Sequence, residues 1–283
     1  MKPPIFNLNP KNNIAFDNVE MPVEHIQAFQ TTRLHPTPFI KPTGHLQTSF
    51  DHASLSSSVE KMAPTAFEQF NLGLHVADNA KKVEENRQAL LAYLPKNTEI
   101  QWLDQVHGNH VFTVEKLSSF IEADAVITRT PKLALAIMTA DCLPILLANK
   151  QGTEIAAIHA GWRSLASGII QQTLAKMHSD NRDIYAWFGP CISQKNFEVG
   201  VEVKKQFEQM NTQFSSAFIE NSHSLEANKW LADLSKIAQI QFIELGVNQF
   251  SVNSHCTYAE NERYYSYRKE QKTGRMAAII CIK

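Results

Sequence analysis

One thiol and two imidazoles in this chain stand where polypeptides commonly do chemistry. Cys142 ends Thr139-Ala140-Asp141-Cys142, between apolar runs at 133–138 and 143–148. His159 closes a third apolar run, beginning at Glu154, and opens His159-Ala160-Gly161-Trp162-Arg163. His107 follows Gln105-Val106 and precedes Gly108. Each falls at a predicted strand end beside Gly or Asp, where turning backbone presents side chains to ligands. A thiolate and two imidazoles are an ordinary zinc donor set with a fourth position left for water or substrate, and copper binds the same atoms tightly. A metal held this way lowers the pKa of bound water toward neutrality. Without metal, the same groups make a Cys-His pair whose imidazole helps generate thiolate. The three are too far apart in the chain to form a local motif, and a cysteine in an apolar run is otherwise a small core residue. Asp141 could orient an imidazole or take a proton, although a strand-end Asp also forms turns. Arg163 could bind an anionic group near the following helix, or pair with a surface carboxylate. Arg268, with Tyr264, Tyr265 and Tyr267, could form part of a pocket wall. Cys191 and Cys256 read as structural thiols and His110 as a solvated loop residue.

Periodicity indicates the elements that must hold these residues. Short apolar runs predict strands at 123–127, 133–138, 143–148, 154–159, 184–188, 250–252 and 276–282. Helical spacing begins at Ser164 and recurs at 198–210 and 225–245. Asn79 is a good N-cap for a helix from Ala80 to Tyr93, which Pro95 ends. The stretch 100–114 reads as a hairpin turning at His107-Gly108-Asn109. Residues 1–66 are punctuated by prolines and read as irregular, with 51–61 an exposed polar loop. The expectation is a single α/β domain with mixed sheets flanked by helices: residues 1–66 pack on it as an irregular N-terminal segment, and 67–283 form the catalytic core.

Composition bounds the function. The 283 residues are 43% hydrophobic and 19% charged, as in ordinary globular proteins. A net charge of −1 gives no electrostatic argument for nucleic acid or an anionic membrane. No apolar run approaches the roughly 20 residues that cross a bilayer, and the N-terminus lacks an apolar secretory region. Four cysteines without a CxxC pair exclude a zinc ribbon and suit a cytoplasmic protein with free thiols. Glycine loops for dinucleotides or phosphates, and a Gly-x-Ser-x-Gly elbow, are absent.

Six segments in order carry a resemblance. They are Phe70–Ala80 with Glu85-Asn86-Arg87, Trp102–Asn109, Met138–Ala148, His159–Arg163, Phe188–Ile192 with Phe197–Gly200, and Cys256–Lys269 with Thr273–Ala277. Together they resemble the multicopper polyphenol oxidase (laccase) domain family, more recently named purine nucleoside phosphorylases. The resemblance covers roughly Phe67 to the C-terminus. It implies a single α/β domain with the laccase-domain fold, and a metal-binding and catalytic trio at His107, Cys142 and His159. It also implies phosphorolysis of adenosine, inosine, guanosine and methylthioadenosine, and deamination of adenosine. On this reading Asp141 joins the catalytic group. Asn71, His75, Arg163 and Arg268 contact substrate, with Arg163 or Arg268 holding phosphate. Zinc is the expected metal, with copper the alternative. The partners are a purine nucleoside and phosphate, with no nucleic acid or membrane, and the protein is a monomer or homodimer. The N-terminal family segment is present only as Thr32-Arg33, while Ser164 and Ser193 replace glycines of the pattern. Other readings are a copper-dependent phenol oxidase, an amidase editing cytoplasmic peptidoglycan precursors, and a non-enzymatic domain with a relic site. No His-x-His pair occurs among the 11 histidines, which disfavours multicopper chemistry.

Overall fold

Three strands, β6 (Leu133–Thr139), β7 (Leu143–Asn149) and β8 (Ile155–Ala160), are buried at every residue. Both faces of their sheets are covered, so an uninterrupted apolar run replaces the usual alternation. The computed structural model describes residues 15–36, 67 and 69–283; the polar loop expected at 51–61 lies outside them.

β6 belongs to a five-stranded mixed sheet. Its order is β1 (Phe16–Asn18), β2 (Ile26–Thr31), β14 (Met276–Ile282), β6 and β3 (Glu99–Gln101). β7 and β8 belong to a six-stranded mixed sheet ordered β13 (Gln249–Val252), β9 (Ile184–Phe188), β7, β8, β5 (Ala125–Thr128) and β4 (Val111–Val114). A small antiparallel sheet holds β10 (Glu198–Gly200), β12 (Lys229–Ala232) and β11 (Phe218–Glu220).

The two large sheets stack face to face. Leu135, Ile137, Ala278 and Ile280 of the first meet Val126, Leu146, Ile155 and Trp187 of the second. The alternate residues face outward into helical layers. Ile145, Leu147, Ile158 and Phe188 pack with α3 (Ile169–Lys176) and α5 (Leu234–Glu244). Ala134, Ala136, Ala277 and Ile279 pack with Leu90 of α1 (Ala80–Leu90). The result is a four-layer α/β protein, with about 1.5–3 kcal/mol of stabilisation from each large apolar side chain fully buried. Among the described residues no helix is long and apolar enough to cross a membrane.

Several local expectations change. The stretch 100–114 is not a hairpin: β3 pairs in parallel with β6 and β4 in parallel with β5, in different sheets. Residues 198–200 and 229–232 are strands, so α4 (Val201–Met210) and α5 are shorter than their spacing implied, and Trp230 is a strand residue. Helical structure after His159 breaks at Gly168, whose φ of +84° separates α2 (Trp162–Ala166) from α3. Within the N-terminal stretch expected to be irregular, β1 and β2 extend the first sheet.

Candidate active site

The turn from β6 to β7 crosses from one large sheet to the other, and Cys142 sits on it. His159, near the end of β8, pairs in register with Pro144 of β7, which brings its imidazole to the same end of the sheets. His107 lies on the loop before β4. Gln105 ties that loop to β6, its side-chain amide donating to the Met138 carbonyl and accepting from the Met138 N–H, each at 2.8 Å. The three side chains converge, and their possible ligand atoms all lie within 4.8 Å of one another. Tetrahedral zinc with bonds of about 2.0–2.3 Å has donors about 3.3–3.8 Å apart, so the group is of the right size and chemistry to hold a metal.

Asp124, overlooked in the sequence, organises two of the three. It is fully buried at the start of the chain entering β5. Its Oδ1 lies 2.8 Å from His159 Nδ1 and accepts the His107 N–H at 2.9 Å, while Oδ2 accepts the Gly108 N–H at 2.6 Å. This carboxylate–imidazole contact leaves Nε2 of His159 as the nitrogen for a ligand. Those bonds also hold His107 at φ +60°, a left-handed conformation unusual outside glycine. The available signal was an acidic residue opening a buried apolar strand.

Burial alone would raise the Cys142 thiol pKa and lower that of the His159 imidazole. Their mutual attraction wins: with help from His107, Cys142 falls to about 6, and with help from Asp124, His159 rises to about 9. Without metal, the pair is therefore a thiolate facing an imidazolium. Gly161 lets it close, since a Cβ there would stand 3.1 Å from Cys142 Sγ and 3.4 Å from His107 Cδ2.

Asp141 has φ +93° and bonds away from the imidazoles, so orienting His159 is the work of Asp124 instead. Its Oδ1 accepts from Thr257 Oγ1 and its Oδ2 from the Arg268 N–H, each at 2.6 Å. These bonds fix the turn to the segment before β14.

The trio lines a cavity of about 490 Å³, within the range of small-molecule sites. Asp141, His75, Arg163 and Arg268 line it too. Arg163 and Arg268 are exposed and lie over the rings of Trp162 and Phe197, at 4.5 and 5.2 Å. Partial desolvation and the positive charges of Arg275 and Arg87 lower the His75 pKa. Asn71 does not line the cavity. It is fully buried, its Oδ1 accepting from the N–H groups of Gly73 and Arg275 and its Nδ2 donating to Asp78. Arg275, also overlooked in the sequence, does line it, and its signal was an arginine directly before the last apolar strand. Tyr264 and Tyr265 are core residues, leaving Tyr267 as the wall tyrosine. Arg33 pairs with Glu270 and lies over the Tyr265 ring. Buried Ser164, where the family pattern has glycine, has no hydrogen-bond partner for its hydroxyl among the described residues, and Ser193 donates its N–H to Cys256 Sγ.

Comparison with known proteins agrees with this architecture. A family model described as multi-copper polyphenol oxidoreductase laccase matches residues 55–283. The purine nucleoside phosphorylase YfiH of Shigella flexneri is 40% identical over 230 residues, covering 81% of this chain and 92% of that protein. A purine nucleoside phosphorylase of Pseudomonas aeruginosa is 38% identical over 214 residues, 76% of this chain and 86% of that protein. The crystal structure of a Neisseria meningitidis protein aligns with a TM-score of 0.78 at 32% identity, covering 95% of this chain and 99% of that one.

Proposed function

We propose, on the premise that this chain belongs to the multi-copper polyphenol oxidoreductase laccase family, that it is an enzyme of purine nucleosides. It cleaves adenosine, inosine, guanosine and methylthioadenosine by phosphorolysis and deaminates adenosine in the same cavity. The observation that carries this reading is the convergence of His107, Cys142 and His159 on the wall of a cavity that also has an apolar side. Relatives named purine nucleoside phosphorylase, at 40% and 38% identity, supply the substrate class.

Zinc is the metal we assign, held by His107, Cys142 and His159; when bound it supplies a Lewis acid and a water acidified toward neutrality. The chain's own residues do the rest. Asp124 fixes the tautomer and direction of His159. Trp162, with Ile192, Phe197 and Leu234 beside it, gives the cavity an apolar wall for a planar base, and base–aromatic stacking is worth about 1–3 kcal/mol per base. Asp141 presents a carboxylate, clamped at both oxygens, as the proton carrier for deamination.

Purified protein loaded with zinc and given inosine should release hypoxanthine only when phosphate is present, while adenosine without phosphate should yield inosine. Chromatography of the bases and nucleosides reads both. Unchanged nucleosides in every arm, with oxygen consumed on a phenol instead, would return the protein to the oxidase reading.

A further inference from the structure

Phosphorolysis needs a place for phosphate, and the exposed arginines at the rim are poor candidates. Arg163 and Arg268 are exposed, so water screens their charge, whereas Arg275 on the same cavity is half-buried. We propose that Arg275 anchors the phosphate co-substrate, holding it at the side of the cavity built by the first sheet while the base lies against the second. This rests on the phosphorolysis reading above.

Arg275 precedes β14, and the pairing of Met276 with Thr139 sets it beside the turn that carries Asp141 and Cys142. Its backbone is clamped, its N–H donating to buried Asn71 at 2.8 Å and its carbonyl accepting from Leu72 at 3.0 Å. Its stem is clamped as well, because a Cβ added at Gly73 would stand 2.8 Å from Arg275 Cγ. Of its guanidinium nitrogens only Nη1 donates a hydrogen bond within the described protein, to the carbonyls of Thr273 and Gly274 at 3.0 Å each, and the group lies 5.9 Å from the centre of the Tyr267 ring. No carboxylate among the described residues forms an ion pair with Arg275. A half-buried, immobilised guanidinium with no carboxylate in direct contact, facing a cavity, is a preorganised receptor for an anion, and the charges of Cys142 and Asp141 act on it from farther away. His75 lines the cavity on the same side, with Arg87 placed to add positive charge.

Met138 of β6 and Tyr267 apart, the large aliphatic and aromatic lining residues come from the other sheet. Trp162 follows β8, Ile192 and Phe197 follow β9, and Leu234 opens α5, which packs on the second sheet. Cys142 lies on the crossover between the sheets. This polarity matches in-line displacement at the anomeric carbon. A phosphate oxygen forms the new bond to C1′ while the C1′–N9 bond breaks from the opposite side. Its electron pair leaves with the purine, which takes up the proton carried by hydrogen phosphate, and the other product is ribose 1-phosphate.

The test is steady-state phosphorolysis of inosine with phosphate and nucleoside varied separately, for wild type, Arg275→Gln and Arg275→Lys. Arg275→Gln should raise the KM for phosphate about tenfold or more, with the KM for inosine changed by less than about threefold. Arg275→Lys should recover part of the loss, since it keeps the charge and loses the fork. Thermal melting and zinc content of each variant report whether the fold and the trio survive. An unchanged phosphate KM in an active Arg275→Gln enzyme overturns the proposal, as does loss of phosphate affinity in Arg268→Gln instead. Titration of inorganic phosphate into the zinc-loaded protein by calorimetry separates the two readings. Binding that Arg275→Gln abolishes, in a protein without phosphorolysis, sinks the activity and keeps the anion site. Absence of binding to wild type sinks the anchor.

Discussion

Cys142 is the residue whose chemistry the surrounding structure has changed most. Facing the His159 imidazolium, it titrates near 6, while burial pushes Cys191 up to about 12 and Cys281 up to about 11. The folded-state pKa of Cys142 is lowered, so thiolate is present above roughly pH 6 and protonates below it. In metal-free protein, iodoacetamide should therefore label Cys142 with a rate that rises through roughly pH 6, sparing Cys191 and Cys281, and added zinc should protect it. Peptide mass mapping across the pH series checks this; labelling that begins only near the ordinary thiol pKa would remove the ion pair. Asp124 is the second test at this scale. An Asp124→Asn variant keeps the shape but weakens the carboxylate–imidazole contact, and should lower zinc affinity about 10- to 100-fold in a chelator competition. Affinity within twofold of wild type would reduce Asp124 to a packing residue.

The elements matter here mainly through how closely they meet. Gly161 joins β8 to α2, and its missing side chain is the space into which Cys142 Sγ and His107 fit. Gly161→Ala, whose Cβ would press on the sulfur at 3.1 Å, should cut turnover and zinc content while shifting the melting temperature by only a few degrees. Glu154, just before β8, secures the far end of that strand. It accepts from the N–H groups of His178 and Ser179 and the Ser179 hydroxyl, and pairs with Arg129. Burial would raise its pKa, but these partners together lower it. A depressed carboxylate contributes stability above its unfolded value of about 4.3 and loses it as pH falls through the folded value. Glu154→Gln should accordingly cost about 3 kcal/mol at neutral pH, a difference that shrinks in melts as pH falls below the ordinary glutamate pKa. What could be read from the chain follows the same division. β6, β7, β8, β9 and β14 were legible because doubly covered strands write themselves as apolar runs. The roles of β3, β4 and Asn71 were not, because parallel pairing and a buried amide's partners depend on residues far away in sequence. Cys142, His107 and His159 could be located by their strand ends. Asp124 and Arg275 could not, since an acid beside a strand and an arginine before one have many commoner uses.

At the scale of the whole molecule, β14 is a keystone. β14 lies between β2 and β6, joining the N-terminal strands to the rest of the first sheet, and every one of its residues is buried. Its two faces feed different cores: Ala278 and Ile280 enter the layer between the sheets, while Ala277 and Ile279 enter the layer under α1. Its first residue pairs with Thr139, so the strand also sets Arg275 and the turn bearing Cys142 side by side. Removing it would leave β2 and β6 with unpaired inner edges and open both layers to water. At about 1.5–3 kcal/mol for each large apolar side chain lost from burial, the deficit would match the 5–15 kcal/mol that holds a typical domain together. A chain ending at Gly274 should therefore fail to fold and collect in the insoluble fraction, with no cooperative melt in whatever remains soluble. Ile280→Ala is the milder version, expected to cost about 2–5 kcal/mol in urea denaturation. Because Ile280 faces the inter-sheet layer rather than the cavity, the loss should come with an unchanged phosphate KM in the fraction that stays folded. A soluble, cooperatively melting chain without residues 275–283 would mean that the first sheet closes without its centre.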